Sequence, residues 1–316
     1  MEWFVKRLGI SVLLVWLVAT IVFLAIYLVP GDPAELLLSQ GGAAPDPAIV
    51  EDLRDQLGLN RPVLEQYLHS MAGLLRGDLG YSMMDGAPIA GEIATRLPRT
   101  LELIGAAALI SVLVGVSTGT LAAVGAGGAF DRIASALAGL GLAVPVFVVG
   151  TLAVLVFAQS LRLVPAGGFV PFTQDPAQHL TLLLMPAGTI AVGLSAVMFR
   201  VTRSAVLEVT VRDYVRTARA KGLSFRRILT RHILRNALIP VVTVLALNLG
   251  TLLGGTVLVE YVFNWPGLSG LLVDAVNGRD YPAVVGVVLV ISILFVTLNF
   301  VVDVLYAVLD PRVRHG

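Results

Sequence analysis

Two lysines, four histidines and no cysteine are the whole stock of amine, imidazole and thiol chemistry in this sequence. Neither Lys6 nor Lys221 closes a GxxxxGK[ST] loop, so the chain lacks a phosphate-cradling element and is not read as an ATPase. His69, His179, His232 and His315 fall outside the apolar runs or at their edges and form no HExxH or HxxH pair, which argues against a metal site within one helix. Without cysteine there is no disulfide, thiolate ligand or thiol nucleophile. Gly193-Leu194-Ser195 lies inside an apolar run and raises an intramembrane serine hydrolase, yet no histidine stands in any such run to activate Ser195. Glu102 and Asp303 lie near run ends, where they reach the interface, and this disfavours a proton-driven carrier. The sequence thus calls for no catalytic residue, cofactor, metal or nucleic-acid partner.

The elements that would position any site are membrane spans. With 57% apolar and 14% charged residues in 316, the chain has too little polar surface for a soluble protein. Six runs are long enough to cross a hydrocarbon core about 30 Å thick, which takes about 20 helical residues. They are Leu8 to Val29, Leu101 to Val124, Ile133 to Phe157, Leu180 to Phe199, Leu238 to Val259 and Val284 to Val308. Each is expected to be helical, because in lipid a segment must satisfy its own backbone polar groups. The first run is read as a span rather than a signal peptide, since it exceeds a usual signal core and Val29-Pro30-Gly31-Asp32 offers no small-x-small cleavage site. Pro186 interrupts span four, while Gly115/Gly119 and Gly250/Gly254 have the spacing that lets helices approach closely.

One polar segment, Arg200 to Arg235, carries ten basic residues against Glu208 and Asp213. Clustered Lys and Arg stay on the cytoplasmic side, so this segment and both termini are expected there. Lys6, Arg7, Arg132, those ten, Arg312 and Arg314 then make 15 basic residues inside. Six lie outside, Arg54, Arg61, Arg76, Arg96, Arg162 and Arg279, with Arg99 at a boundary. Within the segment, Asp213 to Gly222 reads as a short helix stopped by its glycine, and Phe225 to Asn236 as a second one with Ile228, Leu229, His232, Ile233 and Asn236 on one face. Composition leaves open whether the pair is a docking knob or a basic loop that holds topology and touches lipid headgroups. The insertion from Gly31 to Pro98 is acidic, with helices expected over Pro47 to Leu57 and along Val63, Leu64, Tyr67, Leu68, Met71, Leu74 and Leu75. That second stripe is expected to bury itself against the bundle. A solvated spacer and a docking platform for an extracytoplasmic partner both fit this segment.

The run Asp213-Tyr-Val-Arg-Thr-Ala-Arg-Ala-Lys-Gly-Leu-Ser, followed by Arg235-Asn-Ala-Leu-Ile-Pro240, resembles the coupling loop of ABC importer permeases of the dipeptide/oligopeptide (peptide/nickel) family. Pro30-Gly-Asp-Pro33, Leu57-Gly-Leu-Asn-Arg-Pro62, Arg76-Gly-Asp-Leu-Gly-Tyr-Ser82, Arg96-Leu-Pro-Arg-Thr-Leu-Glu102, Pro165-Ala-Gly-Gly168 and Phe263-Asn-Trp-Pro-Gly-Leu268 resemble that family too, in order along nearly the whole chain. The broad importer pattern is Glu-Ala-Ala-xxx-Gly, of which only Ala218 and Gly222 hold, with Arg216 and Thr217 in the first two places.

The resemblance implies an all-α fold of six transmembrane helices of the type I importer class, with the insertion between helices 1 and 2. It implies a permease without its own ATPase site, paired with a second homologous permease, two cytoplasmic ATPase subunits and an extracytoplasmic peptide-binding protein. Peptide is the implied cargo, with nickel, glutathione or haem as alternatives. The ATPase-coupling residues would be Asp213, Tyr214, Arg216, Ala218, Lys221, Gly222 and Leu223, with Ala218 packing against another protein and Pro240 marking entry to span five. Asn248, Thr251, Gly255 and Asn299 are the expected lining of the path. The expected division is residues 1–29 for the tail and first span, 30–98 for the insertion, 99–309 for the core with its coupling loop at 203–236, and 310–316 for a cytoplasmic tail.

Overall fold

A computed structural model describes residues 2–28, 34–35, 46–56 and 59–309. The Pro30 to Pro33 motif, Leu57, Gly58 and the tail with Arg312 and Arg314 lie outside the described residues. The elements are helices α1 (Glu2–Leu28), α2 (Pro47–Gln56), α3 (Val63–Leu75), α4 (Ile89–Val124), α5 (Ala129–Ala143), α6 (Val146–Ala153), α7 (Pro176–Thr210), α8 (Asp213–Ala220), α9 (Phe225–Ile228), α10 (Arg235–Val262), α11 (Leu268–Asn277) and α12 (Tyr281–Leu309). π-helical turns Val154–Ser160 and Leu229–Leu234 extend α6 and join α9 to α10. Among the described residues the only β pairing is an isolated bridge between Tyr81 and Pro88.

Five of the described helical stretches are long and apolar enough to cross a membrane, and the bent pair formed by α5 and α6 with its π turn brings the number to six. That bend is a correction to the sequence reading, which ran one span from Ile133 to Phe157. The axis turns by 105° between Ala143 and Val146. Val144 is extended at φ −86° and ψ 125°, followed by Pro145 at ψ 141°. The cause is local: the proline ring crowds the preceding residue out of the α region and supplies no N–H to continue the ladder. Pro98, Pro186 and Pro240 stay inside α4, α7 and α10. Pro240 is therefore an interior residue of a helix that begins before it, at Arg235 or, through the π turn, at Phe225.

The chain forms two compact units. The first, Met1–Arg99 with Gly267–Phe300, has a core of Ile89, Ile93, Leu268, Leu271, Ala275, Ala283 and Val287. Its Ser82 hydroxyl donates to the Asp280 carboxylate at 2.5 Å, and the Met83 N–H donates to the same group at 3.2 Å, which pins the Arg76 to Ser82 motif to the start of α12. The apolar stripe of α3 is covered only in part, less than the sequence reading expects: Tyr67, Met71 and Leu74 are half-buried, while Val63, Leu64, Leu68 and Leu75 are exposed.

In the second unit, Thr100–Pro266 with Val301–Gly316, α7 packs most extensively on α10 and also on α5 and α6, and it meets α4 closely at two glycines. A Cβ at Gly115 would sit 2.4 Å from Met198 Cβ, and one at Gly119 would sit 2.7 Å from Phe199 O, so these glycines set the closeness of the two helices. At Gly254 a Cβ would meet no other atom of this chain within 4 Å. Asp175 caps α7 through an oxygen that accepts from Gln178 N–H at 3.0 Å, with Pro176 in the first turn.

Candidate functional site

The basic loop owes its form to a helix stop. Helix α8 ends in a Schellman motif: Gly222 N–H donates to Arg219 O at 2.9 Å and Leu223 N–H reaches back to Ala218 O at 3.3 Å. Gly222 adopts φ +72°, the left-handed conformation this closure requires, and no atom lies within 4 Å of where a Cβ would stand. Leu223 folds back onto the core beneath the helix. At the other end Asp213 occupies the first turn, where a carboxylate meets the positive end of the helix dipole.

Helix α8 is two-faced. Val215 and Ala218, three residues apart, are buried in a cluster with Ala123, Ala205, Val206, Ile228, Ile233 and Ala237. The contact expected between Ala218 and another protein is thereby corrected: its methyl faces the chain's own core, since a helix sitting on a bundle must turn its apolar stripe inward. Asp213, Tyr214, Arg216, Thr217, Lys221 and Gly222 face outward. Tyr214 Oη accepts from Asn236 Nδ2 at 3.1 Å, tying α8 to the start of α10. Arg216 lies 3.8 Å from Asp213 in an exposed pair that contributes little to stability.

The second half of the loop also departs from expectation. Phe225 to Asn236 is not a separate short helix but the base of one helical rod that runs through the π turn into α10 and ends at Val262. Exposed Phe225 and an open cleft lined by Ser224, Arg226, Arg227, Thr230 and Arg231 form its outer surface. Guanidinium groups and hydroxyls gathered in this way suit an anionic surface.

The expected path residues are distributed along two helices. Asn248, Thr251 and Gly255 share one face of α10 by their spacing. Asn248 Nδ2 donates to Val244 O at 2.7 Å, Gly255 has open space where a Cβ would stand, and the side chain of Thr251 lies outside the described residues. Asn299, on α12 in the first unit, donates in the same backward manner to Phe295 O at 2.9 Å.

Besides Ser82 with Asp280, three polar pairs escaped the sequence reading. Arg203 holds Asp131 by two hydrogen bonds, Nε to Oδ1 at 2.6 Å and a terminal nitrogen to Oδ2 at 2.8 Å, and Gly127 N–H donates to the same carboxylate at 2.8 Å. Thr100 donates to buried Glu260 at 2.7 Å. Buried His179 sets its ring nitrogens 2.7 Å from Val170 O and 2.7 Å from a Glu102 oxygen, with Phe169, Phe172 and Trp265 packed edge-on around it. The corner is closed by Gly168 N–H donating to Phe263 O at 2.9 Å, so the Pro165 to Gly168 motif meets the Phe263 motif. A Cβ at Gly167 would fall 2.1 Å from that same oxygen.

The chain's relatives agree with this architecture. Residues 115–315 match the family described as binding-protein-dependent transport system inner membrane component, and residues 1–104 match its N-terminal counterpart. The chain belongs to this family. It is 40% identical over 315 residues to the glutathione transport system permease protein GsiC of Escherichia coli O6:H1, a match that covers 100% of this chain and 99% of that protein. The GsiC proteins of Escherichia coli K12 and Shigella dysenteriae serotype 1 match at the same 40% and the same coverage. In fold it resembles a crystal structure described as an amino acid ABC transporter with histidines, with a TM-score of 0.50 at 15% identity, over 68% of this chain and 92% of that one. The chain is accordingly a multi-pass inner-membrane permease of an ABC importer, of the peptide/nickel-type family, and part of a transporter complex.

Proposed function

We propose that this permease carries short peptides, glutathione among them, into the cell. It works with a second homologous permease, two cytoplasmic ATPase subunits and an extracytoplasmic binding protein. The full-length identity to a glutathione permease carries the cargo reading. Glutathione is itself a tripeptide, so it falls inside the peptide class and nickel or haem does not.

The loop supports the coupling role. Helix α8 is anchored through Val215 and Ala218 and offers Asp213, Tyr214, Arg216, Lys221 and the Gly222 turn to a partner, with Leu223 fixing the turn from beneath. When the ATPase dimer closes, it displaces this surface. The displacement reaches Asn248, Thr251 and Gly255 because the loop's second half is continuous with α10, and a helix transmits motion along its axis as a rigid body. Those residues, with Asn299, line the route at the boundary with the second permease. The 15 basic residues on one side set the orientation, with both termini and this loop in the cytoplasm.

The test is the ATPase cycle. The purified chain alone should neither bind nor hydrolyse ATP, and the assembled complex should hydrolyse it faster when its binding protein is loaded with glutathione. Hydrolysis by the pure chain, or a complex that ignores the loaded binding protein, would overturn the proposal.

A further inference from the structure

Helix α3 has an apolar arc wider than the surface it covers. One edge of the arc, at Tyr67, packs on α1: the Tyr67 ring stands 5.3 Å from that of Phe23, edge to face. Tyr67 Oη lies 2.8 Å from Thr20 Oγ1, and because Thr20 donates to Trp16 O, Tyr67 is the donor of that pair. The relay leaves neither hydroxyl proton in need of water. The other edge consists of Leu64, Leu68 and Leu75, exposed by 69%, 58% and 90%. Glu65 and His69 lie on the opposite, polar face.

The contact on α1 fixes the depth of Tyr67 and of the turn around it. From Leu8, just past the charged Lys6 and Arg7, a rise of 1.5 Å per residue puts Thr20 about 18 Å and Phe23 about 22 Å along the axis. The hydrocarbon core is about 30 Å thick, so α3 meets α1 about 8 to 12 Å inside the far boundary. Helices lying in an interface bury their apolar face to about 5 to 10 Å. Ile21 and Leu24 of α1 are exposed at the same level, as residues facing lipid are.

We propose that Leu64, Leu68 and Leu75 insert among the acyl chains of the leaflet at the Leu28 end of α1, so that α3 is an interfacial membrane helix and not a platform standing in water. Exposed Ile21 and Leu24 of α1 stand next to Thr20 and Phe23 in sequence, and the depth of the Tyr67 contact favours lipid over a water-borne binding protein. The inference is independent of the cargo.

The chain is free of cysteine, so single labels are clean. Spin labels at Leu68→Cys and, separately, at Leu64→Cys in the full chain, reconstituted in phosphatidylethanolamine/phosphatidylglycerol vesicles, should be relaxed more by oxygen than by a polar nickel complex. A label at His69→Cys should show the reverse order. In native membranes, a photo-crosslinker at Leu68 should give lipid adducts. Labels at Leu64 and Leu68 more open to the nickel complex than to oxygen would overturn the proposal by placing α3 in water. Protein adducts at Leu68 would overturn it in favour of the binding protein or the partner permease.

Discussion

Replacing Gly222 by Val isolates the contribution of the turn that presents the coupling surface. No neighbour lies within 4 Å of the new Cβ, so the cost is torsional and not steric. Holding an L-residue at φ +72° costs roughly 1 to 2 kcal/mol. The strain is relieved by opening the Schellman closure, which releases Leu223 from the core and tilts the end of α8. A strain of that size shifts the population of the docking-competent turn about 5- to 30-fold. ATP-dependent uptake should fall in that range while the chain inserts and accumulates normally. Gly222→Asn is the control, since Asn enters the left-handed region readily, and its uptake should stay near that of the parent. Ala218→Glu should behave differently from both: it places a carboxylate in the cluster of Val215, Ile228 and Ile233, so the purified chain itself should lose thermal stability. The assay is uptake of labelled glutathione into vesicles holding the complex, with melting temperature in parallel. Equal uptake by the Val variant and the parent, or equal loss in Val and Asn, would refute the reasoning.

Other outcomes follow from the packing and the charge pattern. Gly119→Ala drives a methyl to 2.7 Å from Phe199 O and 2.9 Å from Thr202 Cβ, so α4 and α7 must part. It should cost about 1 to 3 kcal/mol, read as a lower melting temperature in detergent. Asp131→Asn leaves Arg203, whose side chain is 31% exposed, without its carboxylate. The melting temperature should fall, and a double-mutant cycle with Arg203→Gln should show strong coupling. A cysteine at His69 should react with an impermeant thiol reagent from outside, and one at Ser224 only after permeabilisation; reaction of both from one side would contradict the six-span orientation.

Much of the fold was legible because a membrane span has a length and a composition that few other elements share. The helices at Pro47–Gln56, Val63–Leu75 and Asp213–Ala220 were legible as well, from proline starts, glycine stops and apolar spacing. The break at Pro145 was hidden: the apolar run continues through it, and Pro98, Pro186 and Pro240 show that a proline alone does not decide between kink and break. The inward turn of Ala218 had a readable signal in its i, i+3 pairing with Val215, but the motif match pointed outward. Asp131 with Arg203, Thr100 with Glu260 and Ser82 with Asp280 are separated by 72, 160 and 198 residues, and no local spacing announces a pair that only tertiary folding creates. The cationic loop surface was visible from composition, whereas its continuity with α10 depends on the π turn.

The central claim, that this chain is the membrane path of an ATP-driven importer of short peptides, is tested most directly by uptake in intact cells with and without it. Energised cells should accumulate labelled glutathione and di- to pentapeptides, lose that uptake when the chain is deleted, and regain it when a copy is supplied. Uptake unchanged by the deletion, or lost only for nickel or haem, would contradict the account.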